Sequence, residues 1–113
     1  MLSYQKLDVY KCAIQFLALV ATIVARIPRG YSFLSDELKR ASVSIPQNIA
    51  EGVGKPNEAD RSRYLGIARG SAMECGSILD ACAALRLIAP DTLKEGMDLL
   101  ERIVSMLTKM MKF

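Results

Sequence analysis

Two pairs of polar side chains are the residues of this sequence whose types and spacing suit chemistry. Asn48 lies three residues before Glu51, and Ser71 lies three residues before Glu74. Residues three apart share one face of a helix, so each pair presents a polar group beside a carboxylate. Two such carboxylates could perform acid–base catalysis or hold a pair of metal ions inside a helical bundle.

The remaining composition argues against both activities. Helical di-metal centres use Glu-x-x-His pairs, and this sequence contains no histidine. No nucleophile is paired with a base, so we predict a protein that is not an enzyme, with no catalytic residue, metal or cofactor. We predict instead a buried network of hydrogen bonds and salt bridges, in which two arginines neutralise the carboxylates and fix helix register or a subunit contact. Its predicted members are Arg40, Asn48, Glu51, Arg69, Ser71 and Glu74.

The number and spacing of the cysteines indicate whether the cellular compartment is reducing and whether the chain binds a metal. There are three, Cys12, Cys75 and Cys82, and we interpret them as small core residues. An odd, sparse set without a signal peptide indicates a reducing compartment, so we expect a cytoplasmic location. The longest apolar run, residues 13–25, is shorter than the roughly 20 residues that span a bilayer, and we predict no membrane association.

Four helical segments, separated by helix-breaking residues, account for the chain. They are predicted over residues 7–27, 35–53, 57–87 and from 91 to the C-terminus. Ser35 is the predicted N-cap of the second segment, and the third opens at Asn57. Short connections between long helices favour antiparallel neighbours. The predicted fold class is therefore all-α, an up-and-down antiparallel four-helix bundle that forms a single domain over residues 1–113.

A proline lies inside the second segment. Pro46 removes one backbone donor, and its ring clashes with the carbonyl group of Ser42. We therefore predict that the proline kinks the second helix. The hydroxyl groups of Ser42 and Ser44 could donate hydrogen bonds to the carbonyl groups that lose their backbone partner there. The alternative is that the segment forms two separate short helices.

The first segment is apolar around most of its circumference. A bundle helix needs one apolar stripe about 100° wide, but here the apolar residues exceed one stripe: Ile14, Phe16, Leu17, Leu19, Val20, Ile23, Val24 and Ile27. An outer helix of a monomeric bundle cannot bury two faces. We therefore predict a homo-oligomer in which the second face meets another subunit. The alternative is a monomer with an exposed apolar patch, which is uncommon.

Two strings of residues carry a family resemblance. The segments 40–52, RASVSIPQNIAEG, and 64–74, YLGIARGSAME, resemble the four-helix bundle proteins of the 23S rRNA intervening-sequence family. The accessory variability determinant proteins of diversity-generating retroelements belong to the same superfamily. The opening residues 4–10 and the pattern of the fourth segment also fit, so the resemblance covers nearly the whole chain.

The resemblance implies a four-helix subunit in a ring-shaped homopentamer without catalytic activity. It also implies association with nucleic acid or a ribonucleoprotein, because family members are encoded within rRNA-gene insertions or beside retroelement reverse transcriptases. In the retroelement branch the pentamer is a basic barrel that binds the reverse transcriptase and nucleic acid. A reverse transcriptase, RNA and DNA are therefore the partners that the resemblance suggests.

The charge pattern permits a polyanionic partner. The net charge is +3, and an oligomer multiplies it. Basic residues flank several predicted loops and are the candidate phosphate contacts: Lys6, Lys11, Arg29, Lys39, Arg40, Lys55, Arg61 and Arg63. Few aromatic residues, Tyr31, Phe33 and Tyr64, are interleaved with them, which predicts weak stacking on unpaired bases. The alternative function is an oligomeric scaffold or protein-interaction module that binds no nucleic acid.

Overall fold

The computed structural model describes residues 1–111, and these residues form four α-helices without a strand. The helices are α1 (Asp8–Val24), α2 (Ser32–Val53), α3 (Glu58–Ala84) and α4 (Pro90–Met110). Short 3-10 helices, Ser3–Lys6 and Arg29–Tyr31, precede α1 and α2. The all-α prediction is confirmed. The predicted continuation of the last helix through residues 112 and 113 falls outside the described residues.

Each helix packs beside the next one in sequence, and α4 returns to pack on α1. Connections of a few residues force consecutive helices to run antiparallel. At 1.5 Å per residue, the 27 residues of α3 span most of the 44 Å length of the bundle. Within residues 1–111, no helix is both long enough and apolar enough to cross a membrane.

The N-terminal ends of α2 and α3 begin in different ways. Asn57 precedes α3, and its side-chain oxygen accepts a hydrogen bond of 3.1 Å from the backbone N–H of Asp60, which makes it the N-cap of this helix. The prediction for Ser35 was wrong, because α2 begins three residues earlier at Ser32 and buries Ser35 inside the helix. The 3-10 turn at Arg29–Tyr31 leads directly into α2 and replaces a side-chain cap.

The end of α3 is marked by an arginine in the left-handed region. The helix stops at Ala84 rather than at the predicted residue 87, and Arg86 has a φ of 60°. The N–H of Leu87 then donates to the carbonyl oxygen of Cys82 at 2.8 Å. This hydrogen bond closes the helix in the manner usually provided by a C-terminal glycine.

The helix α2 runs without interruption through Pro46. A single helix therefore forms, and the alternative of two short helices does not. The side chain of Ser42 donates to the carbonyl oxygen of Lys39 at 3.0 Å, and Asn48 Nδ2 donates to that of Ser44 at 2.8 Å. The two carbonyl groups that accept these side-chain hydrogen bonds both precede the proline in sequence. The kink at Pro46 stays a prediction.

The apolar circumference of α1 divides into three parts. Its core side buries Val9, Phe16, Val20 and neighbouring side chains completely or nearly so. Its flanks include Leu19, which packs against the core, and Leu17, and both are half-buried. The outward side carries exposed polar residues, Lys11, Gln15 and Thr22, beside one exposed apolar row that we call the α1 stripe, consisting of Ile14, Ala18, Ala21 and Ala25. The second apolar face is therefore narrower than the sequence alone indicated, and most of its members are small.

The helices α2 and α3 lie close together at Gly52. A methyl group built on Gly52 would lie 3.1 Å from both the backbone oxygen of Arg61 and the Cβ atom of Tyr64. Such distances are shorter than ordinary van der Waals contact, and neither atom is the free end of a side chain. A larger residue at this position would force the first turns of α3 to move by a few tenths of an ångström.

This contact predicts opposite effects for two glycine-to-alanine substitutions. Gly52→Ala should lower the free energy of unfolding by about 1–3 kcal/mol, since overpacking forces the backbone of α3 to move. Gly70→Ala is the matched control, because a methyl group there meets nothing within 4 Å and alanine is the better helix former by about 1 kcal/mol. Urea denaturation followed by circular dichroism, at equal protein concentration, measures both. Equal stabilisation by the two substitutions would contradict the close contact.

Candidate functional site

A small polar cluster joins α2 to α3 at mid-height of the bundle. The hydroxyl groups of Ser44 and Ser71 lie 2.8 Å apart. Asn48 Nδ2 donates to the carbonyl oxygen of Ser44 at 2.8 Å and lies 3.0 Å from its hydroxyl oxygen. Because Asn48 serves as donor to Ser44, the Ser44 hydroxyl is available as donor to Ser71. The cluster is a cross-link between helices, with no base or carboxylate in it.

The structure places the other predicted members of the polar network elsewhere. Arg40, Glu51 and Glu74 are exposed, and Glu51 pairs with Lys55 at 3.4 Å instead of with an arginine. Arg69 Nε donates to Thr108 Oγ1 at 2.9 Å, which joins α3 to α4. Within residues 1–111, no ion pair of 4 Å or less links Arg40 or Arg69 to these carboxylates. The physical reason is desolvation: the carboxylates gain more from water than from a buried partner.

The three cysteines are buried and free. Burial raises the pKa of the Cys75 thiol to about 12, with the nearby charge of Glu74 as a smaller cause. Burial likewise raises the pKa of Cys82. These two groups are therefore neutral thiols at pH 7 and are poor nucleophiles and metal ligands. Across residues 1–111, no three His, Cys, Asp or Glu side chains are grouped so that they could hold a metal ion.

The clearest concentration of functional groups lies at one end of the bundle. We call it the tyrosine end; it comprises the start of α1, the end of α2, the start of α3 and the end of α4. Five of the eight candidate phosphate contacts belong to it: Lys6, Lys11, Lys55, Arg61 and Arg63. Arg29 and Lys39 belong to the opposite end, and Arg40 lies nearer the middle of α2. The antiparallel topology thus gathers most, not all, of the predicted set.

Two of these basic residues also organise the turn between α2 and α3. Arg61 Nη2 donates to the carbonyl oxygen of Lys55 at 3.2 Å. The Lys55 ammonium nitrogen lies 5.2 Å from the centroid of the Tyr64 ring, and the Arg63 guanidinium carbon lies 4.7 Å from it. Both distances suit cation–π attraction. The turn therefore presents positive charge around one aromatic ring.

Two further tyrosines face the same groove from the other side of α2. Tyr4 and Tyr10 form an edge-to-face pair with ring centroids 4.8 Å apart and an interplanar angle of 70°. They line, together with Tyr64, a surface groove of about 920 Å³ that crosses the C-terminal half of α2. Sequence reasoning did not include Tyr4 and Tyr10 among the aromatic residues near basic ones. The topology could have identified these two tyrosines, because an antiparallel bundle brings residues 4–10 close to residues 55–64.

Comparison with protein families settles which family this architecture represents. The profile of the family described as 23S rRNA-intervening sequence protein matches residues 5–109, which is nearly the whole chain. The chain belongs to the 23S rRNA-intervening sequence protein family. The resemblance stated from the two sequence strings is therefore confirmed. The match includes all four helices and Tyr10 and Tyr64, whereas Tyr4 lies just before it.

A solved structure shares the fold of this family member. It is the crystal structure of a protein of unknown function from the S23 ribosomal protein family of Bacteroides thetaiotaomicron. The two are 20% identical in sequence and superpose with a TM-score of 0.85, over 93% of this chain and 99% of the other. At this identity the likeness concerns the fold alone. Comparison with curated proteins finds no significant match, and neither description above names an enzymatic activity.

The polar cluster between α2 and α3 predicts a local cost for removing Asn48. Asn48→Ala should lower the free energy of unfolding by about 1 kcal/mol, because it removes the hydrogen bonds to Ser44. Gln47→Ala is the matched control; this neighbouring amide is exposed and should change stability by less than about 0.5 kcal/mol. Thermal and urea unfolding measure both variants. Equal effects of the two substitutions would mean that the cluster does not stabilise the contact between the helices.

Proposed function

We propose that this family member assembles into a homo-oligomeric ring of five subunits, which associates with nucleic acid and performs no catalysis. The observation that carries the proposal is the α1 stripe, an apolar row that the isolated bundle leaves exposed. The number five comes from the family resemblance. The family's name, which refers to 23S rRNA, supports the association with nucleic acid.

The composition of the α1 stripe suits a contact between helices. Ile14, the largest residue of the stripe, is 41% exposed. The three alanines of the stripe are exposed as well, and such small residues let another helix approach closely. Contiguous exposed apolar surface of this kind marks protein interfaces in soluble proteins. A second copy of the chain that covers the stripe would remove it from water.

A closed ring requires a second, different surface on each subunit. The side of the bundle away from α1 and α2 offers a groove of about 630 Å³ between α3 and α4. Its lining includes Met73, Gly76, Met97 and Val104, with Asp80 and Glu101 also contributing. Methionine side chains adapt to a partner's shape. This groove is the surface that we propose receives the α1 stripe of the adjacent subunit.

The tyrosine end supports the association with nucleic acid. Lys6, Lys11 and Arg63 are exposed there, and long basic side chains at a loop-rich end can reach a phosphate backbone. Carboxylates share this end, but Glu51 is paired with Lys55. A ring repeats the tyrosine end once per subunit. Repetition compensates for the modest net charge of +3 on each chain.

Loss of the apolar α1 stripe should abolish assembly without unfolding the subunit. Ile14→Glu places a charge in the proposed interface at a side chain that lies outside the buried core, so we expect a helical protein of monomer mass. Leu85→Glu is the matched control. Leu85 is similarly exposed, at 43%, but it follows the C-terminal end of α3 and is not part of the α1 stripe. Light scattering after size exclusion measures both masses. An Ile14→Glu protein with the wild-type oligomer mass would contradict this interface.

Binding of nucleic acid should depend on salt and on the tyrosine end. We expect the wild-type protein to bind labelled RNA at low salt and to lose affinity steeply as salt rises. Lys6→Glu with Lys11→Glu should weaken binding and reduce the salt slope by about one for each lost phosphate contact. Arg29→Glu with Lys39→Glu makes the same charge change at the opposite end and should weaken binding less. Fluorescence anisotropy measures these affinities.

The same titrations separate this proposal from a scaffold function. An intact wild-type oligomer that binds neither RNA nor DNA at low salt would contradict the association with nucleic acid. That outcome would favour the alternative function, an oligomeric scaffold or protein-interaction module that binds no nucleic acid. Equal weakening by both double substitutions would contradict the assignment to the tyrosine end but not the association itself.

A further inference from the structure

Three tyrosines from three separate elements converge on one groove. Tyr4 comes from the N-terminal 3-10 helix, Tyr10 from α1 and Tyr64 from α3, and the C-terminal half of α2 lies between them. We infer that this groove binds unpaired nucleotides of a single-stranded nucleic acid by stacking their bases on the tyrosine rings. The inference rests on the proposed association with nucleic acid. It adds where on the bundle the nucleic acid binds and that the bound nucleic acid is single-stranded.

The rings of Tyr4 and Tyr10 suit stacking because they are held in place but not enclosed, whereas Lys55 and Arg63 lie over the ring of Tyr64. All three are half-buried, so part of each ring packs on the bundle while part faces the groove. Tyr4 and Tyr10 meet edge to face, an arrangement that fixes the orientation of both rings. A fixed aromatic surface loses little entropy when a base stacks on it. The groove, at about 920 Å³, has room for more than one nucleotide.

Positive charge lies at the Tyr64 side of the groove, where Lys55 is part of the lining. Lys55 and Arg63 are both within about 5 Å of the Tyr64 ring centroid. Lys6 and Lys11 each lie within two residues of a groove tyrosine in sequence, and both are exposed. Aromatic platforms combined with basic side chains are the standard composition of single-strand binding sites. Glu51 also lines the groove, but Lys55 pairs with it at 3.4 Å.

Two amide side chains on α2 add hydrogen-bonding capacity between the tyrosines. Gln47 and Asn48 both line the groove. Asn48 uses its amide nitrogen on Ser44, so its carbonyl oxygen is the group directed to other partners. Gln47 is exposed and offers both a donor and an acceptor. These groups are suited to the edges of bases, which are accessible only when the bases are unpaired.

Duplex nucleic acid would leave this groove unused. In a duplex the base faces are stacked within the helix, and a protein reaches mainly phosphates and groove edges. The basic residues of the tyrosine end would contact a duplex, but the tyrosine rings would not. A preference for single strands that depends on the tyrosines therefore distinguishes base stacking from binding through phosphates alone.

The test compares strand types on the intact wild-type oligomer. The probes are fluorescent 12-nucleotide oligouridine and oligothymidine strands and a 12-base-pair duplex, titrated at low salt and followed by anisotropy. We expect both single strands to bind more tightly than the duplex, because every base has a face that can stack. Equal affinity for single strands and duplex would overturn the inference while leaving the association with nucleic acid in place. Binding of no probe would contradict that association as well.

Variants then assign the effect to the groove. Tyr4→Ala should weaken single-strand binding about 5- to 150-fold, the range for loss of one stacked base, and should leave duplex binding unchanged. Tyr4→Phe keeps the ring and should bind as wild type does. Tyr31→Ala is the matched control, since Tyr31 is also half-buried and paired with an aromatic side chain, Phe33, but lies at the opposite end. Equal loss in the Tyr4→Ala and Tyr31→Ala proteins would overturn the inference.

A measurement on the unaltered protein covers the case in which Tyr4→Ala disturbs folding. Oligouridine that contains 4-thiouridine is photo-crosslinked to the wild-type oligomer, and the modified peptides are mapped by mass spectrometry. We expect crosslinks at Tyr4, Tyr10 or Tyr64 or at residues next to them. Crosslinks confined to the opposite end of the bundle, near Tyr31, would overturn the assignment.

Discussion

A four-helix bundle has one core, and each helix can direct only one stripe of side chains into it. This limit determines which apolar side chains the molecule can bury. Beyond the side chains that this core buries, several large apolar side chains stay exposed. The core takes the stripes that include Phe16, Leu38, Leu79 and Leu107, and the half-buried flanks take part of the rest. What remains is the α1 stripe on one side and the groove between α3 and α4 on the other. Contact with neighbouring copies of the chain, as proposed above, would cover both surfaces.

The contact between α2 and α3 determines where polar chemistry is presented. Gly52 lets the end of α2 lie against α3, and the cluster of Ser44, Asn48 and Ser71 fixes their register further along. This packing brings Tyr64 beside Lys55 and leaves the C-terminal half of α2 as the floor of a groove. The segment that carries the family resemblance is thus the segment that builds the groove. Its polar residues join the two helices and shape the surface of the groove.

Much of the fold could be predicted from the sequence because its signals are local. Helical periodicity, the breakers near residues 28, 56 and 90, and the Asn57 cap each act within a few residues of chain. The start of α2 was mispredicted because a 3-10 turn, and not the expected cap at Ser35, leads into the helix. The extent of the apolar face on α1 was overestimated because periodicity does not reveal how deeply neighbouring helices cover the flanks.

The candidate site was predicted only in part, for a different reason. Residue type alone identified the basic side chains, but a salt bridge depends on distance and solvation, and the predicted pairs of arginine with glutamate do not form within the described residues. Grouping Tyr4 and Tyr10 with Tyr64 required the tertiary arrangement, because more than 50 residues separate them in sequence. Such a cluster has no local signal. It becomes visible only when the direction of each helix and the neighbours of α2 are known.

The mass of the wild-type protein in solution tests the central claim most directly. Native mass spectrometry at micromolar concentration should give about 62 kDa, the mass of five 12.4 kDa chains. That result would mean that the apolar surface left by one bundle is covered by further copies. A stable species of 12.4 kDa over the same concentration range would contradict the account, since the α1 stripe and the groove between α3 and α4 would then both face water.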